Sequence, residues 1–165
     1  MSVLESIAIQ GIRSFDPKNN QFLKFLKPVT LILGSNGTGK TTIIESLNYA
    51  TTGDLPAGSK TGGSFVHDPK VAGESEVKAK VSLTIKDVKG DYVTITRALK
   101  TTQKDKNKPV SMQTLDSSIQ KCMANGETIS ISSKCADINV EMTNSLGVSK
   151  AVLENVIFCH QEDSN

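Results

Sequence analysis

An α/β fold built around a phosphate-binding loop is the architecture this sequence predicts, and three observations predict it. Gly34-Ser-Asn-Gly-Thr-Gly-Lys-Thr41 reads G-x-x-x-x-G-K-T, the spacing of a Walker A loop. The apolar run Val29–Leu33 before it suits a buried strand of a parallel sheet with the loop at its mouth, and Thr42–Ala50 after it suits a helix. Further on, Glu76 to Ile85 and Tyr92 to Arg97 alternate apolar and polar residues, the pattern of strands with one buried face.

The elements follow in order. Val3 to Ile12 alternates loosely and reads as a first strand; Phe22–Phe25 reads as a short second one. Pro28 punctuates the chain before the strand that enters the loop. The helix from Lys40 ends near Gly53, a suitable C-terminal cap, and the Gly-, Pro-, Ser- and Thr-rich segment to Gly63 is loop. Asp87–Asp91 is the turn of a hairpin, and Thr114–Ser118 and Thr128–Ile131 are candidates for weaker strands. A helix is expected from Cys135 to about Ser145. Gly147 breaks it, and Ser149 then caps a second helix running towards Phe158. With 165 residues and no internal repeat, the chain reads as one unit with a sizeable core. It has three parts: a phosphate-loop core over 1–62, an antiparallel β region over 63–131, and helices over 132–165.

Composition narrows the function classes. The chain is 37% hydrophobic and 22% charged, as in soluble globular proteins, and no apolar stretch approaches a membrane span. Met1-Ser-Val-Leu-Glu5 lacks the basic and apolar blocks of a secretory leader, so cytosol or nucleus is expected. Cys122, Cys135 and Cys159 share no C-x-x-C spacing and read as free thiols. A net charge of +2 does not announce a nucleic-acid binder. Basic residues do gather locally, at Arg97, Lys100, Lys104, Lys106 and Lys108, opposed only by Asp105.

The loop's chemistry follows from its residues. Its glycines let the backbone turn N–H groups inward, and the positive end of the next helix adds to that cradle for phosphate oxygens. Lys40 is expected to reach the β- and γ-phosphates, and the Thr41 hydroxyl to ligate Mg²⁺. Asp87-Val-Lys-Gly90 matches the D-x-x-G of small GTPases, but N-K-x-D is lacking: Asn107-Lys108 comes too soon and runs on into Pro109-Val110. The match is better explained as the hairpin turn. A kinase would need lid arginines, and the only two arginines, Arg13 and Arg97, lie in no lid-like segment. His67 and His160 have no spacing that supports a catalytic base and read as structural or surface residues.

Several segments go beyond the loop: Gln10-Gly-Ile-Arg-Ser-Phe15, Thr52-Gly-Asp-Leu-Pro56, Phe65-Val-His-Asp-Pro-Lys-Val71, Leu146–Val152 and Ile157–Asn165. With the loop, they resemble the N-terminal lobe of the ABC-type ATPases of the SMC-like branch that serves DNA double-strand-break repair. The resemblance spans nearly the whole chain and is weakest from Leu99 to Gly126. It implies a P-loop NTPase of ABC-ATPase type, with an antiparallel β subdomain and a helical C-terminal part ending at the Q-loop. It also implies that Asn36, Gly37, Thr38, Gly39, Lys40, Thr41 and Thr42 surround the phosphates of ATP. Gln161 would be the Q-loop glutamine, sharing Mg²⁺ with Thr41 and catalysis with Lys40; from the residues alone it is a polar residue after an apolar run. Arg13 would touch phosphate, and Val66 and Asp68 would lie against the nucleoside. The stretch Arg97–Lys108 is either a DNA-phosphate contact or a solvated hairpin tip.

The family's other ATPase segments do not follow. No apolar strand ending in Asp-Glu comes after the loop, Gly62-Gly63-Ser64 has the composition of the S-G-G signature in the wrong order, and the zinc-hook C-x-x-C is not here. The expectation is the N-terminal half of a split ATPase head, inactive alone, with the coiled coil and C-terminal lobe elsewhere. The partners the resemblance implies are that lobe, a second head in an ATP-dependent homodimer, a Mre-eleven-type nuclease, a nibrin-type adaptor and double-stranded DNA. It implies no membrane, and it implies the nucleus. ATP binding would close the heads and hydrolysis reopen them. A nucleotide-gated DNA tether with negligible turnover and a stand-alone small P-loop NTPase stay open as alternatives.

Overall fold

The alternation in the sequence becomes a seven-stranded sheet in the computed structural model, which describes residues 2–56, 58–59, 63–103, 109–123, 125–132, 135–153 and 157–158. The strands are β1 (Val3–Gln10), β2 (Gln21–Lys24), β3 (Glu76–Lys86), β4 (Tyr92–Thr102), β5 (Ser111–Thr114), β6 (Ser118–Cys122) and β7 (Thr128–Ser132). Their order is β2-β1-β3-β4-β6-β7, with β5 pairing the far half of β4, and every described pairing is antiparallel. β3 and β4 form the long central hairpin, in register from Glu76 opposite Thr102 to Lys86 opposite Tyr92.

One face of this sheet makes the core. Val77, Ala79, Val81, Leu83 and Ile85 of β3 are buried with Val93, Ile95 and Leu99 of β4, Ile7 and Ile9 of β1 and Ile119 of β6. Helices α1 (Lys40–Thr52) and α3 (Cys135–Leu146) cover that face with Leu47, Ala50, Ile138 and Met142. Each fully buried Ile, Leu or Val contributes about 1.5–3 kcal/mol. The other face carries small polar residues and lysines, among them Lys78, Lys80 and the hydroxyl pairs Ser82–Thr96 and Thr84–Thr94, each at 3.0 Å. Two short helices, α2 (Pro69–Ala72) and α4 (Lys150–Val152), complete the described structure.

Several sequence expectations land within a residue or two, but the strand expected over Tyr92–Arg97 runs on to Thr102, and the helix expected from Ser149 towards Phe158 is described only over Lys150–Val152, residues 154–156 lying outside the described residues. Gly53 caps α1 in the left-handed conformation, Ser149 caps α4, and Gly147 ends α3 at φ 73°. Of the segment expected as one strand over Thr114–Ser118, Thr114 ends β5, Ser118 begins β6 and residues 115–117 connect them. The larger correction concerns Val29–Leu33, which is neither buried nor a strand: Val29, Leu31 and Leu33 are 76%, 76% and 80% exposed. A strand needs a neighbour to take its N–H and C=O groups, and no described strand pairs with this segment. The expected parallel sheet is likewise not found among the described residues. Arg97, counted with the basic surface cluster, is buried at 3% exposure, while Lys104 to Lys108 lie outside the described residues.

Candidate functional site

The loop between Leu33 and α1 is shaped by three contacts of its own. The Thr38 hydroxyl donates to the Ser35 carbonyl at 2.8 Å, closing a tight turn. Gly34 lies beneath that hydroxyl; a β-carbon there would come within 2.5 Å of Thr38 Oγ1. Lys40 folds back over the loop, and its Nζ donates to the carbonyls of Gly34 at 2.7 Å and Ser35 at 2.8 Å. Asn36, Gly37 and Thr38 are exposed at the tip, and Gly37, at φ 83°, faces open space.

The start of α1 has the chemistry of an anion site. Gly39 opens this 13-residue helix at φ 91° with no side-chain cap, and no acid stands in the first turn. The first N–H groups of a helix have no intrahelical acceptor, and together with the macrodipole they favour negative charge. The Thr41 side chain is exposed beside them, whereas Thr42 is buried at 4%. These residues fit a nucleotide's phosphates, and the exposed Thr41 hydroxyl fits a Mg²⁺ ion held against them.

A second wall comes from residues 11–16. Arg13 adopts φ 47°, a left-handed conformation uncommon for a side chain of its size. Its N–H donates to Phe65 O at 2.9 Å, and its carbonyl accepts from His67 Nδ1 at 2.5 Å. His67 N–H donates to Gly11 O at 2.8 Å, and Ile12 bridges Val66, so residues 65–67 run antiparallel to 11–13. The following turn sets the Phe15 ring against Gly39, 3.2 Å from where its β-carbon would be. The guanidinium of Arg13 pairs with Glu45 on α1, Nη2 to Oε1 at 2.8 Å.

The structure therefore gathers Arg13, Gly34, Gly39, Lys40 and Thr41 at one end of α1. Val66 lies in the core, 2% exposed as a whole residue, which does not fit the expected nucleoside contact. Asp68 is exposed and caps α2, its carboxylate accepting from Lys70 N–H at 2.8 Å. Gln161 and His160 lie outside the described residues. Sequence reasoning missed Glu45 and Phe15 as parts of the site. Glu45 was findable: four residues after Thr41, it shares that residue's helical face.

One structural ion cluster stands apart from this wall. The Asp87 carboxylate accepts from the N–H groups of Lys89 and Asp91 and pairs with Lys121 at 2.7 Å, which also reaches Asp91 at 3.1 Å. D-x-x-G is thus a hairpin turn with its own counter-ion. Burial pushes the Asp87 carboxyl up, but the Lys121 hydrogen bond and the Asp91 and Lys89 amides outweigh it and hold the group below its ordinary value. The same contact with Asp87 raises Lys121.

Comparison with known proteins gives concordant findings. The AAA domain family model matches residues 6–165. The DNA repair protein RAD50 of Dictyostelium discoideum is 46% identical over 165 residues, covering 100% of this chain and 12% of that protein. Its Drosophila melanogaster namesake is 48% identical over 172 residues, again covering 100% of this chain and 13% of the relative. A solved chain from work on ATP-driven dimerization and DNA stimulated activation of SMC ATPases superposes with a TM-score of 0.61 at 18% identity, covering 98% of this chain and 87% of that one. At that identity the likeness speaks for the fold alone. The chain spans only 12–13% of the length of these curated relatives.

Proposed function

Because the chain belongs to the AAA domain family, in the branch of the Rad50 N-terminal ATPase regions, we propose that it is the ATP-binding lobe of a split ABC-type head in DNA double-strand-break repair. The observation that carries this reading is the uncapped, acid-free start of α1 with Lys40 Nζ folded onto the loop carbonyls. Lys40 exchanges the Gly34 and Ser35 carbonyls for β- and γ-phosphate oxygens, which carry more charge and bind the ammonium more strongly. The N–H groups of residues 39–42 and the Arg13 guanidinium hold the remaining oxygens. Thr41 and Gln161 would hold Mg²⁺, which when bound neutralises phosphate charge as a Lewis acid. The exposed Asp68 borders the nucleoside.

The exposed row Val29, Leu31 and Leu33 supports a docking edge for the C-terminal lobe of the same protein. A strand supplied there would pair Val29–Leu33 and bury that row. ATP held on this lobe is then completed by a second copy of the head, so that nucleotide shifts the open–closed equilibrium and hydrolysis reverses it. In the nucleus, closure would shape a surface for double-stranded DNA and govern a Mre-eleven-type nuclease and a nibrin-type adaptor.

The test is nucleotide binding by the complete protein. Lys40→Ala is expected to weaken MgATP binding at least tenfold, read by titration calorimetry, with the melting temperature little changed. Equal affinity in wild type and variant would overturn the reading. Residues 1–165 alone are expected to hydrolyse ATP negligibly, and robust Mg²⁺-dependent turnover by them would defeat the split-head account.

A further inference from the structure

We propose that Glu45 is a positioning residue for the Arg13 guanidinium and, through it, for the nucleotide's phosphates; this rests on reading Arg13 as a phosphate contact. The main chain of Arg13 is over-determined. It is held at φ 47° by the Phe65 carbonyl on its N–H at 2.9 Å and the His67 ring on its carbonyl at 2.5 Å. A conformation uncommon for arginine persists only where surrounding contacts impose it, and such positions gather at functional sites. The next two residues, Ser14 and Phe15, close on Gly39 at the mouth of α1. Arg13 is thereby fixed beside the first turns of the helix that bears Lys40 and Thr41.

Among the described residues its side chain has one charged partner, Glu45, at 2.8 Å, with Arg13 34% and Glu45 21% exposed. The pair is thus within reach of a ligand. Only one arm of the fork, Nη2, is engaged by that carboxylate, and Nε has no partner among the described residues. A guanidinium presents five donors; Nε is buried, so the Nη hydrogens that Glu45 does not take are the ones left for phosphate. The placement of the acid matters. No acid stands in the first turn of α1, where it would repel phosphate, and Glu45 stands just beyond it, four residues after Thr41. There it offsets the repulsion between Arg13 and the positive loop while keeping the guanidinium from swinging into solvent.

The experiment is a double-mutant cycle on MgATP affinity in the complete protein, with melting temperature as the folding control. Arg13→Ala is expected to weaken binding about tenfold or more, and Glu45→Ala about fivefold. Glu45→Gln retains an acceptor for Nη2 and is expected to recover most of that loss, which a purely structural role would not require. In an Arg13→Ala background, Glu45→Ala is expected to add nothing. Unchanged affinity for Glu45→Ala beside a weakened Arg13→Ala overturns the proposal and leaves the Arg13 reading standing. Unchanged affinity for Arg13→Ala sinks the Arg13 reading and the proposal with it. Additive losses show that Glu45 acts by another route and likewise overturn it. Should Glu45→Ala fail to fold, the cycle is run with Glu45→Gln. A small loss confined to the Arg13 background then upholds the proposal, and one of equal size in both backgrounds overturns it.

Discussion

The edge of the Phe15 ring stands 3.2 Å from the point where a β-carbon on Gly39 would lie. Gly39 also holds φ 91°, a conformation that costs a side chain about 1–2 kcal/mol. Both constraints act at the residue that opens α1. Gly39→Ala is therefore expected to displace Phe15 or the loop and to weaken MgATP binding more than tenfold. Phe15→Ala should not rescue it, because the backbone conformation still penalises the methyl. Titrating both variants and their combination checks this; restored binding in the double variant would show that Phe15 alone imposes the glycine.

Leu31 and Leu33 are three-quarters or more exposed on a segment with no described strand partner. Leu31→Asp should lower self-association of the isolated chain, measured by light scattering, because a charge on an unpaired apolar edge opposes strand addition. In the complete protein the same change should weaken assembly of the head and reduce ATP turnover. Full turnover in the variant would count against a strand-adding partner at this edge.

Arg97 ties three elements together from inside the core. Its Nε donates to the Ala50 carbonyl at 2.9 Å, at the C-terminal end of α1; its Nη2 donates to Asn139 Oδ1 on α3 at 2.7 Å; and it stands 6.0 Å from the Tyr49 ring centroid. A cation at that helix end complements the macrodipole. Arg97→Ala removes two charge-assisted bonds and leaves acceptors unpaired, at a cost of roughly 3 kcal/mol. Arg97→Lys keeps the charge but not the two-pronged reach, so it should recover only part. Urea unfolding of both variants gives the measurement.

The Asp87–Lys121 pair predicts a pH dependence at both extremes. Asp87 is lowered from 3.8 in the folded chain, so its contribution is full above 3.8 and is lost as pH falls through the lower folded value. Lys121 is raised from 10.5, so its contribution is full below 10.5 and is lost as pH rises through the higher folded value. Asp87→Asn should flatten the acid limb and cost about 1–2 kcal/mol at neutral pH, since Lys121 then keeps only its longer contact with Asp91. Thermal melts of wild type and variant from pH 2 to pH 7, about 1 unit apart, test the sign.

Much of the site was legible in residue order, because its chemistry is local. The phosphate loop is eight consecutive residues whose glycines and lysine work within one turn and one helix start. The β3–β4 hairpin was equally readable, since period-two alternation with a Gly90 turn leaves one pairing that puts Val77, Ala79, Val81, Leu83 and Ile85 on the same buried face as Val93 and Ile95. Val29–Leu33 misled for a physical reason: alternation reports which faces want burial, not whether a neighbouring strand is there to provide it. Arg97 misled likewise, because a charged residue reads as surface until its acceptors, Ala50 and Asn139, are brought to it from 47 and 42 positions away.

Local spacing of glycine, lysine and hydroxyl residues was thus enough to locate the phosphate cradle and to assign most helices and strands. Three-dimensional packing alone chose the strand order β2-β1-β3-β4-β6-β7, buried Arg97, and set Glu45 against Arg13. Turn and helix-start chemistry acts over a few covalently linked residues, so it is written in their order. Pairing between distant segments depends on which surfaces meet once the core has formed.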